Sequence, residues 1–164
     1  MLALMGTYDI AQICRNGHVS NARFRGHPEN NEAFCGKCGS PTLIECESCT
    51  GPIRGYRYPT PREIGGPYVR PAYCLNCGQP YPWTSDALQA ARELAGELDG
   101  LSDQERETLR GTLDDLVSDT PRTQVATARF KKLAEKTGKE GAGLLKNVLY
   151  GVVTEAVRRG IWGP

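Results

Sequence analysis

The hydrophobic residues of this chain follow a helical pattern only in its second half. From Thr84 onward, apolar residues recur every three or four positions, as in an amphipathic helix. The first predicted helix begins at Thr84 or Ser85 and ends near Leu98. The sequence SDQE, which begins at Ser102, has the form of a capping box and predicts the start of a second helix.

Two more helices are predicted after these. In the sequence DTP, Thr120 is placed to cap a third helix, with Pro121 at its first position and Gly138 at its end. A fourth helix is expected from about Glu140 to Arg159, with a wide apolar stripe that forms either core or an interface. Short turns imply antiparallel neighbours, so we predict a bundle of about four helices.

The first half lacks the aliphatic side chains that a domain core needs. Residues 6–83 include only 11 Val, Ile, Leu, Met or Phe residues, against 19 in residues 84–164. A domain with so small an apolar surface requires cross-links between its segments, and all seven cysteines lie in this half. We therefore predict an α+β chain with a metal-stabilised double zinc-ribbon domain at 6–83 and an α-helical domain at 84–164.

The candidate ligands form four close pairs, CRNGH, CGKC, CESC and CLNC. An odd number of cysteines argues against a closed set of disulfides, whereas two pairs together can hold a tetrahedral zinc ion. His18 is preferred to His27 as the eighth ligand because only His18 lies within one turn of Cys14. Two structural zinc ions then use every cysteine.

Four pairs can combine in three ways. Sequential pairing is favoured because the linker GSPTLIE combines a turn with a short strand, which carries the chain away from the first site. Cross-brace pairing, as in a RING domain, and nested pairing are the alternatives. Sequential pairing predicts one site of Cys14, His18, Cys35 and Cys38 and another of Cys46, Cys49, Cys74 and Cys77.

The segment between Cys49 and Cys74 interleaves arginines with tyrosines. This composition suits single-stranded nucleic acid, where bases stack on rings, and also suits protein contacts. Alternatively, the tyrosines form a small core of their own, with arginine stems packed over them. The candidate partner or nucleic-acid surface consists of Arg54, Tyr56, Arg57, Tyr58, Arg62, Tyr68 and Arg70.

Charge and hydropathy limit the partners. The formal net charge is +1, and zinc thiolate sites would bring the first half close to neutral, which weakens a purely electrostatic case for nucleic acid. Residues 86–119 are strongly acidic and residues 120–164 strongly basic, which favours packing between the helix pairs or association between chains. No apolar run is long enough for a membrane span, and MLALM is too short for a signal sequence, so we expect a cytoplasmic protein.

Four runs of the chain, CRNGHVSN, CGKCGSPTLIECESCTGPIRG, YCLNCGQPYPWT and TPRTQVATARFKKL, resemble a family of small bacterial proteins. That family is catalogued as a domain of unknown function and described as zinc ribbons. The resemblance implies two ribbons and a helical tail, with the cysteines and His18 as ligands. It implies no reaction.

These features together predict a non-enzymatic adaptor or interaction module. A filled zinc site leaves no open position for catalysis, so we expect no small-molecule substrate. A protein partner or a homo-oligomer is expected. A nucleic-acid-binding regulator and a RING-like ligase adaptor are the alternatives.

Overall fold

The computed structural model describes residues 7–60 and 64–163, which form small strands followed by helices. The chain separates into two compact units, one ending at Trp83 and one starting at Thr84. We call them the cysteine-rich unit and the helical unit. The predicted α+β class is confirmed.

The described part of the cysteine-rich unit contains five short strands: β1 Tyr8–Ile10, β2 Gln12–Cys14, β3 Val19–Asn21, β4 Thr42–Leu43 and β5 Arg54–Arg57. They form an antiparallel sheet of order β3-β2-β4 and an antiparallel pair, β1-β5. The predicted strand at TLIE is present as the two residues of β4. A single turn of 3-10 helix covers Pro28–Asn30.

The core of the cysteine-rich unit is small. Among its described residues, the fully buried aliphatic side chains are those of Ala11, Ile13 and Ile53. Tyr81 and Trp83 add a stacked aromatic pair, with ring centroids 4.6 Å apart, and the Trp83 indole N–H donates to the carbonyl of Pro71 at 2.9 Å. So small a core agrees with the expectation that this unit depends on its cysteines.

A buried carboxylate ties three segments of this unit together. Asp9 accepts backbone hydrogen bonds from Ile10, Arg25 and Gly26 at 2.7, 2.9 and 2.9 Å, and one from the Tyr58 hydroxyl at 2.8 Å. Burial raises the pKa of Asp9, but these four donors outweigh it and leave the pKa below its usual value. Asp9 therefore holds the loop after β3 and the end of β5 against β1.

The described part of the chain contains five α-helices: α1 Pro82–Glu97, α2 Asp103–Leu116, α3 Thr123–Lys136, α4 Gly138–Leu149 and α5 Glu155–Trp162. Their apolar faces form a core around Phe130, which is fully buried. The fully buried aliphatic side chains described in the helical unit are those of Ala91, Ala95, Leu109, Leu113, Leu116, Leu145, Leu149 and Val157. No helix among the described residues is long and apolar enough to cross a membrane.

The starts of two helices differ from those predicted. The first helix begins at Pro82, since proline fits the opening turn of a helix. The third begins only at Thr123, because the Thr123 hydroxyl accepts from the Thr120 amide and donates to the Ser118 carbonyl, which makes residues 120–123 a turn. The predicted capping box at Ser102 is present in full.

The prediction of a single fourth helix was wrong, because the structure divides this segment into α4 and α5. The Thr154 side chain accepts from the Val157 amide and caps α5, and the Thr154 amide donates to the Leu116 carbonyl at 3.2 Å. This second bond reaches α2, far away in sequence. The apolar stripe nevertheless serves mainly as core, since Leu145, Leu149, Val152, Val153 and Val157 are all buried.

Opposite charges meet between α2 and α3 in the helical unit. Lys136 pairs with Glu105, and Arg122 pairs with Asp115 at 3.0 Å. Hydrogen bonds from Lys136 and then from the Ser102 backbone lower the pKa of Glu105 to about 2. The acidic and basic segments are therefore joined by ion pairs within this unit.

Replacing Glu105 with Gln is expected to destabilise the helical unit in a pH-dependent way. The pKa of Glu105 is lowered on folding, so its stabilising effect is complete above the unfolded value of about 4.3 and is lost as the pH falls toward about 2. Urea unfolding followed by far-UV circular dichroism should show the variant less stable near neutral pH and equal to the wild type near pH 2. The matched control is Glu107→Gln, an exposed carboxylate on the same helix. A difference in stability between Glu105→Gln and the wild type that persists unchanged at low pH would contradict a stabilising role for the ionised Glu105 carboxylate.

Candidate metal centres

The first centre lies at one end of the β3-β2-β4 sheet. Cys14 ends β2, His18 follows in the turn before β3, and Cys35 and Cys38 come from the turn that precedes β4. The Sγ atoms of Cys14 and Cys38 are 3.7 Å apart, and His18 Nδ1 lies 3.6 Å from the sulfurs of both Cys14 and Cys35. All four ligand atoms lie within 4.8 Å of one another.

The second centre combines the turns on either side of the arginine- and tyrosine-rich segment. The Cys46 and Cys77 sulfurs are 3.8 Å apart, and those of Cys49 and Cys74 are 3.7 Å apart. These four sulfurs also lie within 4.8 Å of one another. All seven cysteines are free thiols, so the short spacing does not come from disulfides.

The two groups, which we call the first and second tetrads, are those of sequential pairing. The pair Cys35 and Cys38 joins the pair before it, whereas cross-brace pairing would join it to Cys74 and Cys77. Neither the RING-like nor the nested arrangement is therefore present. Each tetrad could hold one metal ion.

Three of the four ligand pairs are formed by the same turn. In each, the first cysteine amide donates to the carbonyl five residues later and its own carbonyl accepts from the amide four residues later, all at 2.8 Å. The residues just outside these turns pair as isolated bridges, which end in Pro41, Pro52 and Pro80. Sequence analysis used the C-x2-C spacing but missed this proline, which occurs six positions after the first cysteine each time and so makes the motif C-x2-C-x2-P.

Thr50 occupies a strained position in one of these turns. It has a φ of 57°, the one positive φ outside glycine among the described residues, and the equivalent positions in the other two turns are Gly39 and Gly78, with φ of 69° and 73°. A β-branched residue in the left-handed region costs about 1–2 kcal/mol. The second tetrad therefore forms at a small energetic disadvantage.

Replacing Thr50 with Gly is expected to strengthen metal binding at the second tetrad by roughly fivefold, equivalent to about 1 kcal/mol after allowing for the greater freedom of glycine in the unfolded chain. Competition with a coloured chelator measures this. The reciprocal variant Gly78→Thr should weaken the same tetrad, because a Cβ at Gly78 meets no atom within 4 Å and only backbone strain is added. Equal affinities in all three proteins would contradict the role of strain.

Within each tetrad the surroundings favour ionisation of one thiol and oppose that of another; in the first tetrad, burial raises the pKa of Cys14. Hydrogen bonds from the Ser40 backbone and the Asn16 amide lower the pKa of Cys38 to about 5, and chiefly the Cys77 backbone lowers that of Cys74 to about 6. For Cys77, the Gln79 backbone lowers the pKa, but burial and the neighbouring thiols raise it to about 12. A bound cation removes this conflict by stabilising every thiolate.

Asparagine side chains contact one sulfur in each tetrad. The Asn16 amide donates to the Cys38 sulfur at 3.4 Å, and the Asn76 amide donates to the Cys49 sulfur at 3.3 Å. Both asparagines lie two residues after a cysteine of the opposite pair. These bonds orient the thiolates and stabilise their charge.

The predicted partner surface is only partly free. Tyr58 is bound to Asp9, and the Tyr68 hydroxyl donates to the Arg54 carbonyl at 2.8 Å. Arg70 is half-buried and donates to the Gly17 carbonyl, and burial lowers its pKa. These contacts favour the interpretation in which the tyrosines add to a small core.

The other members of that surface are more open. Tyr56 packs edge-on to Tyr58, with ring centroids 5.5 Å apart, while Arg54 and Arg57 are exposed on β5. Arg62 lies outside the described residues. The structure adds two residues that sequence analysis missed: Arg23, over the Tyr56 ring at 4.0 Å, and Tyr8, under Arg54 at 4.4 Å.

His27 lies outside both tetrads. Its Nδ1 is 2.9 Å from a carboxylate oxygen of Glu29, and the backbone of Glu29 together with His27 lowers the pKa of this carboxylate. The pair lines an open hollow of about 670 Å³ that also includes Glu32. Among the described residues, no metal-binding group includes His27.

Comparison with known proteins gives one family. Residues 7–161 match the family described as "Uncharacterized protein conserved in bacteria (DUF2321)". No curated protein and no solved structure matches the chain significantly.

Proposed function

Because the chain belongs to this uncharacterised bacterial family, we propose its function from the two tetrads: it is a non-enzymatic, zinc-stabilised adaptor or interaction module. The family description assigns no reaction or partner. The proposal therefore rests on the donor atoms and on their spacing.

The spacing of the donor atoms is the observation that carries the proposal. In a tetrahedral zinc site with Zn–S near 2.3 Å and Zn–N near 2.05 Å, two sulfurs lie about 3.8 Å apart and a sulfur and a nitrogen about 3.6 Å apart. Three S···S separations in the tetrads are 3.7–3.8 Å and two S···N separations are 3.6 Å, and all donor atoms of each tetrad lie within 4.8 Å of one another. Cysteine sulfur and histidine nitrogen donors in this geometry suit zinc.

Four protein donors in each tetrad favour a structural metal. A catalytic zinc commonly has three protein ligands and leaves a fourth position for water or substrate. Here three sulfurs and a nitrogen complete one tetrad and four sulfurs complete the other. When bound, the metal supplies cross-links between distant segments, and the chain acts through its surface.

Contacts with other proteins, or between copies of the chain, are one use of such a surface. The helical unit exposes Val125, Leu144 and Tyr150 at 53%, 49% and 43% of their full areas. These side chains are the candidates for such contacts in the helical unit. Sedimentation velocity over a range of concentrations measures whether copies of the chain associate.

Cobalt substitution tests the proposal. Cobalt(II) in place of zinc should bind at two ions per chain and give the absorption of tetrahedral thiolate sites. Added azide should leave that spectrum unchanged, because no coordination position is open. A spectrum that shifts with azide, or hydrolysis of an ester that requires the metal, would contradict a purely structural role.

A further inference from the structure

An arginine stacked on a tyrosine separates two surface hollows in the cysteine-rich unit. The guanidinium carbon of Arg54 lies 4.4 Å from the centre of the Tyr8 ring. The hollows measure about 460 and 340 Å³, and both are lined by Tyr8, Arg54 and Leu75. These volumes lie within the range of small-ligand sites, about 300–1,000 Å³. We call Tyr8, Arg25, Arg54, Arg57 and Leu75 the stacking surface.

Arginine side chains give the stacking surface positive charge. Arg25 lines the larger hollow and Arg57 the smaller one. Within the part of the chain that the structure describes, neither Arg25 nor Arg54 forms an ion pair. Among the described residues that line the hollows, Asp9 supplies the one carboxylate, and its oxygens already accept four hydrogen bonds. Charge complementarity therefore points to an anionic partner.

The same surface exposes flat and apolar groups. Tyr8 is 50% exposed and Leu75 is 62% exposed. A guanidinium stacked on a ring can present its outer face to another planar group, as arginine does when unpaired bases stack on it. Acidic peptides would match the charge but offer few planar faces, and the bases of a duplex are already stacked on one another.

We propose that the stacking surface binds single-stranded nucleic acid, with bases against Arg54 and Tyr8 and phosphates near Arg25 and Arg54. This inference rests on the proposed function as an interaction module and names the class of partner. A second tetrad of four thiolates around zinc would contribute a charge of about −2 close to Leu75. Stacking should therefore provide more of the affinity than phosphate contacts do.

Fluorescence anisotropy of a labelled oligothymidine 12-mer tests the proposal, using the full chain loaded with two metal ions. We expect a dissociation constant of about 1–100 μM, the range of non-specific binding. Two phosphate contacts predict a slope near −1.4 when the logarithm of affinity is plotted against that of salt concentration. Arg25→Gln should reduce the magnitude of this slope by about 0.7.

Arg54→Lys is the decisive variant because it keeps the charge and removes the planar group. Losing a stacked base should weaken binding about tenfold with little change in the salt slope. Tyr8→Leu should weaken binding similarly. The matched control is Arg129→Lys, since Arg129 is also exposed and without an ion pair among the described residues but lies in the helical unit.

Four results would overturn the proposal. The first is that a chain holding two metal ions does not bind the oligothymidine at low salt, and the second is that it binds duplex DNA as tightly as the single strand. The third is that polyglutamate displaces the labelled oligothymidine as well as the unlabelled oligothymidine does, and the fourth is that Arg54→Lys leaves the affinity unchanged. None of these results concerns the metal content, so the proposed function as a zinc-stabilised interaction module would still hold. If instead the chain does not hold two metal ions, the proposed function fails first.

Discussion

Removal of the metal ions with a chelator near neutral pH is expected to unfold the cysteine-rich unit while α2 to α5 keep their helical structure. Structural zinc contributes about 10–16 kcal/mol to the folding of small zinc domains. Without it, Ala11, Ile13 and Ile53 cannot replace the cross-links, because their apolar area is too small. The helical unit contains no cysteine and has a core of its own.

Two signals separate the units in this experiment. Trp83 is 3% exposed and stacks on Tyr81, so its fluorescence in a Trp162→Phe background reports the cysteine-rich unit. Far-UV circular dichroism reports mainly the helices. We expect a red shift of Trp83 emission with most of the helical signal kept, and recovery of the original emission when zinc is restored. Loss of both signals together, or of neither, would contradict the account.

Replacement of Cys46 with Ser is expected to remove one metal ion and keep the other. The variant lacks a donor of the second tetrad, whereas Cys14, His18, Cys35 and Cys38 are unchanged. Native mass spectrometry should find two zinc ions in the wild type and one in the variant. Ser48→Ala, an exposed change within the same turn, should keep both.

The Cys35→Ser, Cys46→Ser double variant distinguishes sequential from nested pairing, because nested pairing would place both cysteines at one metal ion and leave the other ion bound. A Cys35→Ser variant should lose the metal ion of the first tetrad and keep that of the second, and the double variant should bind no metal with high affinity. Loss of both ions on changing Cys46 alone would show that the tetrads do not form independently.

Local sequence signals predicted a good part of this structure. The C-x2-C spacing and the choice of His18 over His27 predicted the groups that the structure brings together, because each pair lies within one turn. The capping box at Ser102 was also predictable, since it uses only residues three positions apart. Features of this kind depend on neighbours along the chain.

Contacts between distant residues were not predictable from one sequence. The break after α4 depends on the bond from the Thr154 amide to Leu116, and the periodicity of the apolar residues continues through it. Likewise, Tyr58 meets Asp9 and Arg54 meets Tyr8 across more than forty residues. Such pairs of residue types occur throughout the chain, so only the fold identifies which of them meet.

The measurement that tests the central claim most directly is X-ray absorption at the zinc edge of the metal-loaded chain. One tetrad of three sulfurs and a nitrogen and one of four sulfurs predict an average of about 3.5 sulfurs and 0.5 nitrogens per zinc, with Zn–S near 2.3 Å. An oxygen ligand on either zinc, or an average near two sulfurs, would contradict two closed structural sites.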